Sequence, residues 1–162
     1  MFKNLDYKKI VTVSYIALLF ITLGAVLSSG IFVASTIFNS EDVFKTQLLT
    51  RFEEGILMTE VFIKLNGLIH LTVLAILLVE VYRYKSFDRD YVLLTAAIVA
   101  VFCGLLFTQY YTPEILAMQA QGAQATQTAA FDATHKGSEI AFKLFALALM
   151  VLGIKNILRL NR

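Results

Sequence analysis

Apolar residues fill four long stretches of the chain, roughly residues 10–38, 56–81, 91–111 and 138–158, separated by shorter polar connections. Each reaches or exceeds the roughly 20 residues that a helix needs to cross about 30 Å of hydrocarbon. The pattern predicts four transmembrane helices, at about 10–38, 51–84, 91–111 and 135–158, in one domain spanning 1–162. The expected fold is all-α, an integral membrane four-helix bundle with a short outer helical segment between helices 3 and 4. Local signals sharpen the ends. Thr50-Arg51-Phe52-Glu53 has the form of a capping box, so helix 2 starts before the membrane and, at about 51 Å long, projects its first turns outward. The short connection 83–90 makes helices 2 and 3 antiparallel neighbours. Small residues recur at four-residue intervals, Gly24 with Ser28, Gly30 with Ala34, and Ala96 with Ala100 and Gly104; they let another backbone approach closely.

The polar positions inside these stretches carry the interest. Residues 59–80 are long enough to span a bilayer yet include Glu60, Lys64, Asn66 and His70. Ionisable groups in hydrocarbon cost several kcal/mol and normally face a bundle interior or a wet cavity. At about 100° per residue the polar positions occupy an arc of roughly 160°, which predicts an inward-facing spine. Helix 4 repeats the arrangement, with His135, Ser138, Glu139 and Lys143 along one side. At 1.5 Å per residue, Lys64 lies roughly 6 Å and His70 roughly 15 Å inside the outer boundary, with Glu139 about 5 Å and Lys143 about 11 Å inside. Matched Glu-x-x-x-Lys pairs at similar depth predict a neutral cluster of Glu60, Lys64, Glu139 and Lys143, with Lys64 to Glu139 as the cross-helix pair, because a buried lone charge costs far more than a paired one. The competing expectation is that both lysines snorkel to the interface.

Between helices 3 and 4, residues 112–134 are rich in Ala, Gln and Thr. Thr112-Pro113-Glu114 is a helix start, so an outer helix interrupted near Gly122 is expected, either a cap over the bundle mouth, a partner surface or a solvated connection.

Composition agrees with a membrane protein: 58% of the 162 residues are hydrophobic and only one is proline, with mean hydropathy +0.72, well outside the range of soluble domains. Basic residues are asymmetric. Lys3, Lys8, Lys9, Arg83, Lys85, Arg89, Lys155, Arg159 and Arg162 fall on one side of the predicted bundle, and Lys45, Arg51 and Lys136 on the other. The positive-inside rule then places both termini in the cytoplasm of a multi-pass protein of a bacterial inner membrane. A net charge of +2 spread over two faces gives no nucleic-acid footprint. The first apolar run is too long for a signal peptide, whose apolar core is about 7 to 15 residues.

Candidate chemistry is limited. Cys103 is the lone cysteine and reads as a buried apolar thiol. His70 and His135 are potential axial ligands for haem or copper, with Met58, Met118 or Met150 as soft helpers, but their depths differ by about 15 Å, which separates them as ligands of one metal. No Ser-His-Asp arrangement, phosphate-cradling loop or carboxylate dyad is visible, so the reading leans away from an enzyme.

Two short motifs carry a resemblance. Gly30-Ile-Phe-Val-Ala-Ser-Thr-Ile-Phe38 resembles the first-helix signature of the family catalogued as domain of unknown function 4149, related to transmembrane-protein-205-like proteins, and Phe131-x-x-x-His135-x-x-Ser138 resembles its last-helix signature. The likeness runs from about residue 24 to 153. It implies a four-helix membrane protein of unsettled activity, with His135 and Ser138 as motif positions. Where this chain has Ser35 the family usually has proline, so the kink that proline implies is not expected here. More distantly the architecture is similar to copper-resistance membrane proteins and a haem-containing protoporphyrinogen oxidase.

Three functions fit these observations. The first is binding of a small solute, an ion or a membrane partner in the outer half of the bundle, through Glu60, Lys64, Asn66, His70, His135, Ser138, Glu139 and Lys143. The second is a haem- or copper-binding redox protein using His70 or His135. The third is a structural subunit of a larger membrane complex or homo-oligomer. In every case the lipid bilayer is a partner.

Overall fold

The computed structural model describes residues 7–86 and 90–160, so Lys3, Arg89 and Arg162 of the basic set lie outside the described residues. Among the described residues, four helices are long and apolar enough to cross a membrane: Lys9–Phe38, Arg51–Lys85, Tyr91–Ala120 and Ala129–Leu160. They are called the first to fourth helices below. No strand occurs among the described residues.

Side chains fix several helix ends. The Thr50 amide donates to Glu53 Oε2 at 2.7 Å and the Glu53 amide donates to Thr50 Oγ1 at 3.3 Å, closing the capping box that the sequence carries. Asp90 Oδ1 accepts from the amides of Val92 at 3.0 Å and Leu93 at 3.2 Å, which opens the third helix. Arg83 and Lys85 occupy the last turn of the second helix, where cations complement the helix dipole.

The helices form a ring in chain order. The first packs on the second and fourth, the third packs on the second and fourth, and the second and fourth face each other across the diagonal. Neighbours run antiparallel: Thr22 meets Thr72 at 2.7 Å, the Tyr15 hydroxyl points at Glu80 at 3.5 Å, and Lys155 Nζ reaches Asp90 Oδ2 at 3.0 Å. Leu19, Ile69, Ile76, Ala100, Leu149 and Leu152 are fully enclosed, while Ile21, Phe32, Leu71, Leu78, Phe102 and Leu147 are exposed on the outside. An apolar exterior around a core that admits hydroxyls is what a helix bundle immersed in lipid requires. Close approach occurs at Gly104, where a Cβ would lie 2.9 Å from Val73 Cγ2 and 3.1 Å from the Phe145 ring.

Two boundaries differ from the sequence expectation. The third helix does not stop near residue 111 but continues through Pro113 to Ala120, so the expected outer helix is its extension. The physical reason is a π turn at Leu106–Tyr111: Pro113 has no amide and would crowd the preceding turn, and a widened turn just before it absorbs both effects. Thr112 Oγ1 donates to the Phe107 carbonyl at 2.9 Å inside that turn. The fourth helix begins at Ala129 rather than near 135, because Thr128 Oγ1 accepts from the Phe131 amide at 3.2 Å and caps it. Between them, Gly122 adopts φ 95°, a left-handed conformation that glycine takes without steric penalty, and one short 3-10 turn follows at Ala125–Gln127.

The first helix also widens into a π turn, at Ser29–Val33. Ser35 lies just beyond it, so the backbone there is irregular without a proline. A Cβ on Gly30, within this turn, would touch the Phe142 ring at 3.5 Å.

Candidate functional site

The end of the bundle that holds residues 38–54 and 112–135, opposite the Tyr15, Glu80 and Lys155 end, contains a cavity of about 490 Å³. It is called the outer cavity, following the basic-residue asymmetry of the sequence. That volume lies within the range of small-molecule sites, about 300 to 1,000 Å³.

The second helix supplies Phe52, Gly55, Met58, Thr59 and Phe62, positions three or four residues apart that share one helical face. The third helix adds Phe107, Thr112, Ile115 and Gln119, and the fourth adds Phe131, Asp132, His135, Ser138 and Glu139. Its extension past the π turn brings Gln119 over the second helix, where Nε2 donates to Thr59 Oγ1 at 3.0 Å. Thr59 Oγ1 in turn donates a hydrogen bond to the Gly55 carbonyl at 2.9 Å. Thr126 and Gln127 close the top.

Below lies an aromatic group. Phe107 and Phe142 have ring centroids 4.9 Å apart, and Phe62 meets Phe107 edge-on at 5.3 Å and Phe142 at 5.2 Å. Phe107 belongs to one π turn and Gly30 of the other lies against Phe142. Both widened turns thus border this aromatic group. π turns of this kind occur often at functional sites.

The polar wall is organised around Glu139. Its Oε2 holds Lys143 Nζ at 2.8 Å and its Oε1 lies 3.3 Å from His135 Nε2. The His135 ring stacks on Phe131 at 6.0 Å with an interplanar angle of 6°. Ser138 is buried and donates to the His135 carbonyl at 2.7 Å. On the opposite wall Arg51 lies 4.5 Å above the Phe38 ring, donates to the Phe38 carbonyl at 3.1 Å and reaches Glu54 Oε2 at 3.3 Å. Glu54 itself is buried and accepts from Ser40 Oγ at 2.6 Å.

Of the residues singled out in the sequence, His135, Ser138 and Glu139 line this cavity, and Lys143 sits beside it through Glu139. Glu60 and Lys64 do not join them. The cross-helix pair between Lys64 and Glu139 is absent among the described residues, and both Glu60 and Lys64 are exposed. The reason is angular: measured from Gly55, which lines the cavity, Glu60 and Lys64 lie at about 140° and 180° around the helix. The single neutral cluster expected from the sequence is therefore split into an outward pair of positions and a fourth-helix triad.

Asn66 and His70 face inward but elsewhere. His70 Nε2 lies 3.0 Å from Thr108 Oγ1 and 2.7 Å from Gln109 Nε2, both in the second π turn. Asn66 Oδ1 is buried without a hydrogen-bond partner. The two histidines serve different surroundings, and among the described residues no three His, Cys, Asp or Glu side chains gather to hold a metal ion. Each imidazole Nε2 is engaged by protein groups.

The opposite end holds a second polar group. Glu80 is buried, lies 2.8 Å from Arg83 Nη1 and faces the Tyr15 hydroxyl. On the fourth helix, Asn156 is fully buried. Its Nδ2 donates to the Leu152 carbonyl at 2.8 Å, and its Oδ1 has no partner. An Asn or Glu near a predicted helix end gives no signal of burial, because burial there depends on how the other helices pack around it.

A family model described as a domain of unknown function, DUF4149, matches residues 17–124. No curated protein and no solved structure matches the chain.

Proposed function

We propose, on the premise that the chain belongs to the family of domain of unknown function DUF4149, that it is a membrane-embedded binding protein whose outer cavity takes a small amphipathic molecule. The observation that carries the proposal is the cavity itself: about 490 Å³, walled on one side by phenyl rings and on the other by His135, Ser138 and Glu139. Ligand sites combine an apolar lining with a few convergent polar groups in this way. Lys143 fixes Glu139 at the rim. Glu60 and Lys64 reach the headgroup region, and Asn66 and His70 belong to the seam between the second and third helices.

In this reading the protein lies in a bacterial inner membrane with both termini cytoplasmic. The basic groups Lys9, Arg83, Lys85, Lys155 and Arg159 all belong to the end that holds Tyr15, Glu80 and Asp90, as the positive-inside rule asks of a cytoplasmic face.

The chain has no tryptophan, so Phe52→Trp supplies a single tryptophan, excited apart from the tyrosines, in the cavity wall. In neutral-lipid nanodiscs, 4-nitrobenzyl alcohol should quench it saturably. Gly55→Leu in the same background should abolish the saturable part, since a side chain at Gly55 points toward Gln119 across the cavity, with Cβ 3.6 Å from Nε2. Linear, unsaturable quenching unaffected by Gly55→Leu would sink the proposal.

A further inference from the structure

The charges around the outer cavity narrow the class of its occupant. Arg51, Asp132 and Glu139 are the lining residues that carry full charge. Arg51 is committed to Glu54 at 3.3 Å and to the Phe38 carbonyl at 3.1 Å. Glu139 is committed to Lys143 at 2.8 Å and to His135 at 3.3 Å. Asp132 differs from both: among the described residues its carboxylate has neither an ion pair nor a hydrogen bond.

Asp132 is therefore the lining carboxylate without a committed counter-charge. Against the amides at the start of the fourth helix, which supply about half a positive charge, and against Lys136, whose charge also reaches Glu139, stands the Asp132 carboxylate as a fixed negative group. The phenyl rings act in the same direction, because an aromatic face is the negative pole of its quadrupole and attracts a cation within about 6 Å of the centroid. An instance is already built into the wall, where the Arg51 guanidinium sits 4.5 Å from the Phe38 ring centre.

We infer that, granting the binding role proposed above, the cavity selects a small organic cation, an ammonium group on an apolar body, with Asp132 as its counter-ion and the phenyl rings around the body. Asp132 is exposed and sits in the first turn of the fourth helix, so it meets an incoming cation at the mouth. Phe62 and Phe107 lie at the opposite, inner side and receive the apolar part. Neutral molecules of the same shape keep only the second half of that recognition.

The test uses the full chain with the Phe52→Trp reporter in nanodiscs of uncharged lipid, so that no membrane surface charge favours one probe. Three probes of similar size are titrated: 4-nitrobenzyltrimethylammonium, 4-nitrobenzyl alcohol and 4-nitrophenylacetate. The cation should bind about tenfold more tightly than the alcohol, and the carboxylate more weakly than either. Asp132→Asn should bring the cation to the affinity of the alcohol while leaving the alcohol unchanged. Equal saturable binding of cation and alcohol, or tighter binding of the carboxylate, would overturn the cation assignment and leave the binding role standing. A cation preference that survives Asp132→Asn would overturn the role of Asp132. Absence of saturable binding by all three would overturn both readings together.

Discussion

Glu139 holds Lys143 at 2.8 Å and His135 at 3.3 Å, one on each carboxylate oxygen and each four residues away on its own helix. Lys64 on the second helix, which lies across the bundle diagonal, is exposed and turned away from this carboxylate. Lys64→Glu should therefore change stability by less than about 0.5 kcal/mol. In a double-mutant cycle with Glu139→Lys, read by thermal unfolding in detergent, the coupling should be close to zero. A coupling above about 0.5 kcal/mol would mean that the two helices pair through these residues after all.

Gly104 and Gly153 look alike in sequence but differ in what surrounds them. A Cβ at Gly104 would press on Val73 and on Phe145, both buried, whereas one at Gly153 would lie 2.7 Å from the tip of Phe20. Phe20 is 37% exposed and its ring can swing toward lipid. Gly104→Ala should cost about 1 to 3 kcal/mol through overpacking, and Gly153→Ala should stay within about 0.5 kcal/mol. Comparing the two unfolding midpoints checks the difference, and equal losses would show that the Phe20 side of the bundle is as closed as the Phe145 side.

What could be read from the sequence was what depends on neighbours along the chain. The four apolar runs and the Thr50–Glu53 box are local patterns, and the helices follow them. Facing is set by which helices are neighbours, and a polar arc of roughly 160° can straddle two environments: on the second helix, Thr59, Asn66 and His70 turn inward while Glu60 and Lys64 turn out. His135, Ser138 and Glu139 reach the cavity because the fourth helix faces across the bundle, so their candidacy came from type and motif, whereas Asp132 precedes the predicted start of helix 4 and carried no such signal. The π turns leave no simple periodic trace, and Pro113 argued locally for a new helix while the widened turn before it let the old one continue.

The Asp90 to Lys155 contact ties the start of the third helix to the end of the fourth at 3.0 Å. Some burial raises the Asp90 pKa, but the Lys155 hydrogen bond, the amides of Val92 and Leu93 and the Lys155 charge outweigh it and hold the carboxyl below its ordinary value. A depressed folded pKa means that this stabilisation is fully present above the unfolded value, about 3.9, and is lost as pH falls below it toward the folded value. Asp90→Asn keeps a capping side chain but removes the titration. Its unfolding midpoint should sit below that of the unmodified chain at neutral pH and converge with it below about pH 4. A gap independent of pH would show that the carboxylate charge contributes nothing at this junction.

Thr22 and Thr72 are both fully buried, with their hydroxyl oxygens 2.7 Å apart. Thr72 donates to the Leu68 carbonyl at 2.9 Å, so its proton is spent there and Thr22 is the donor between the helices. Removing the two hydroxyls is therefore not symmetric. Thr22→Val deletes a donor and leaves Thr72 hydrogen-bonded to its own helix, whereas Thr72→Val strands the Thr22 hydroxyl in a fully buried site. Interhelical hydrogen bonds in membranes are worth about 0.6 kcal/mol on average, and an orphaned buried polar group costs about 1 to 3 kcal/mol. Thr22→Val should cost less than Thr72→Val, and the double substitution, which replaces both partners by groups of the same shape, should cost less than the sum of the two. Reversible unfolding in mixed detergent measures all three. Strictly additive losses would show that the two hydroxyls do not interact, and the first and second helices would then be joined at mid-membrane by packing alone.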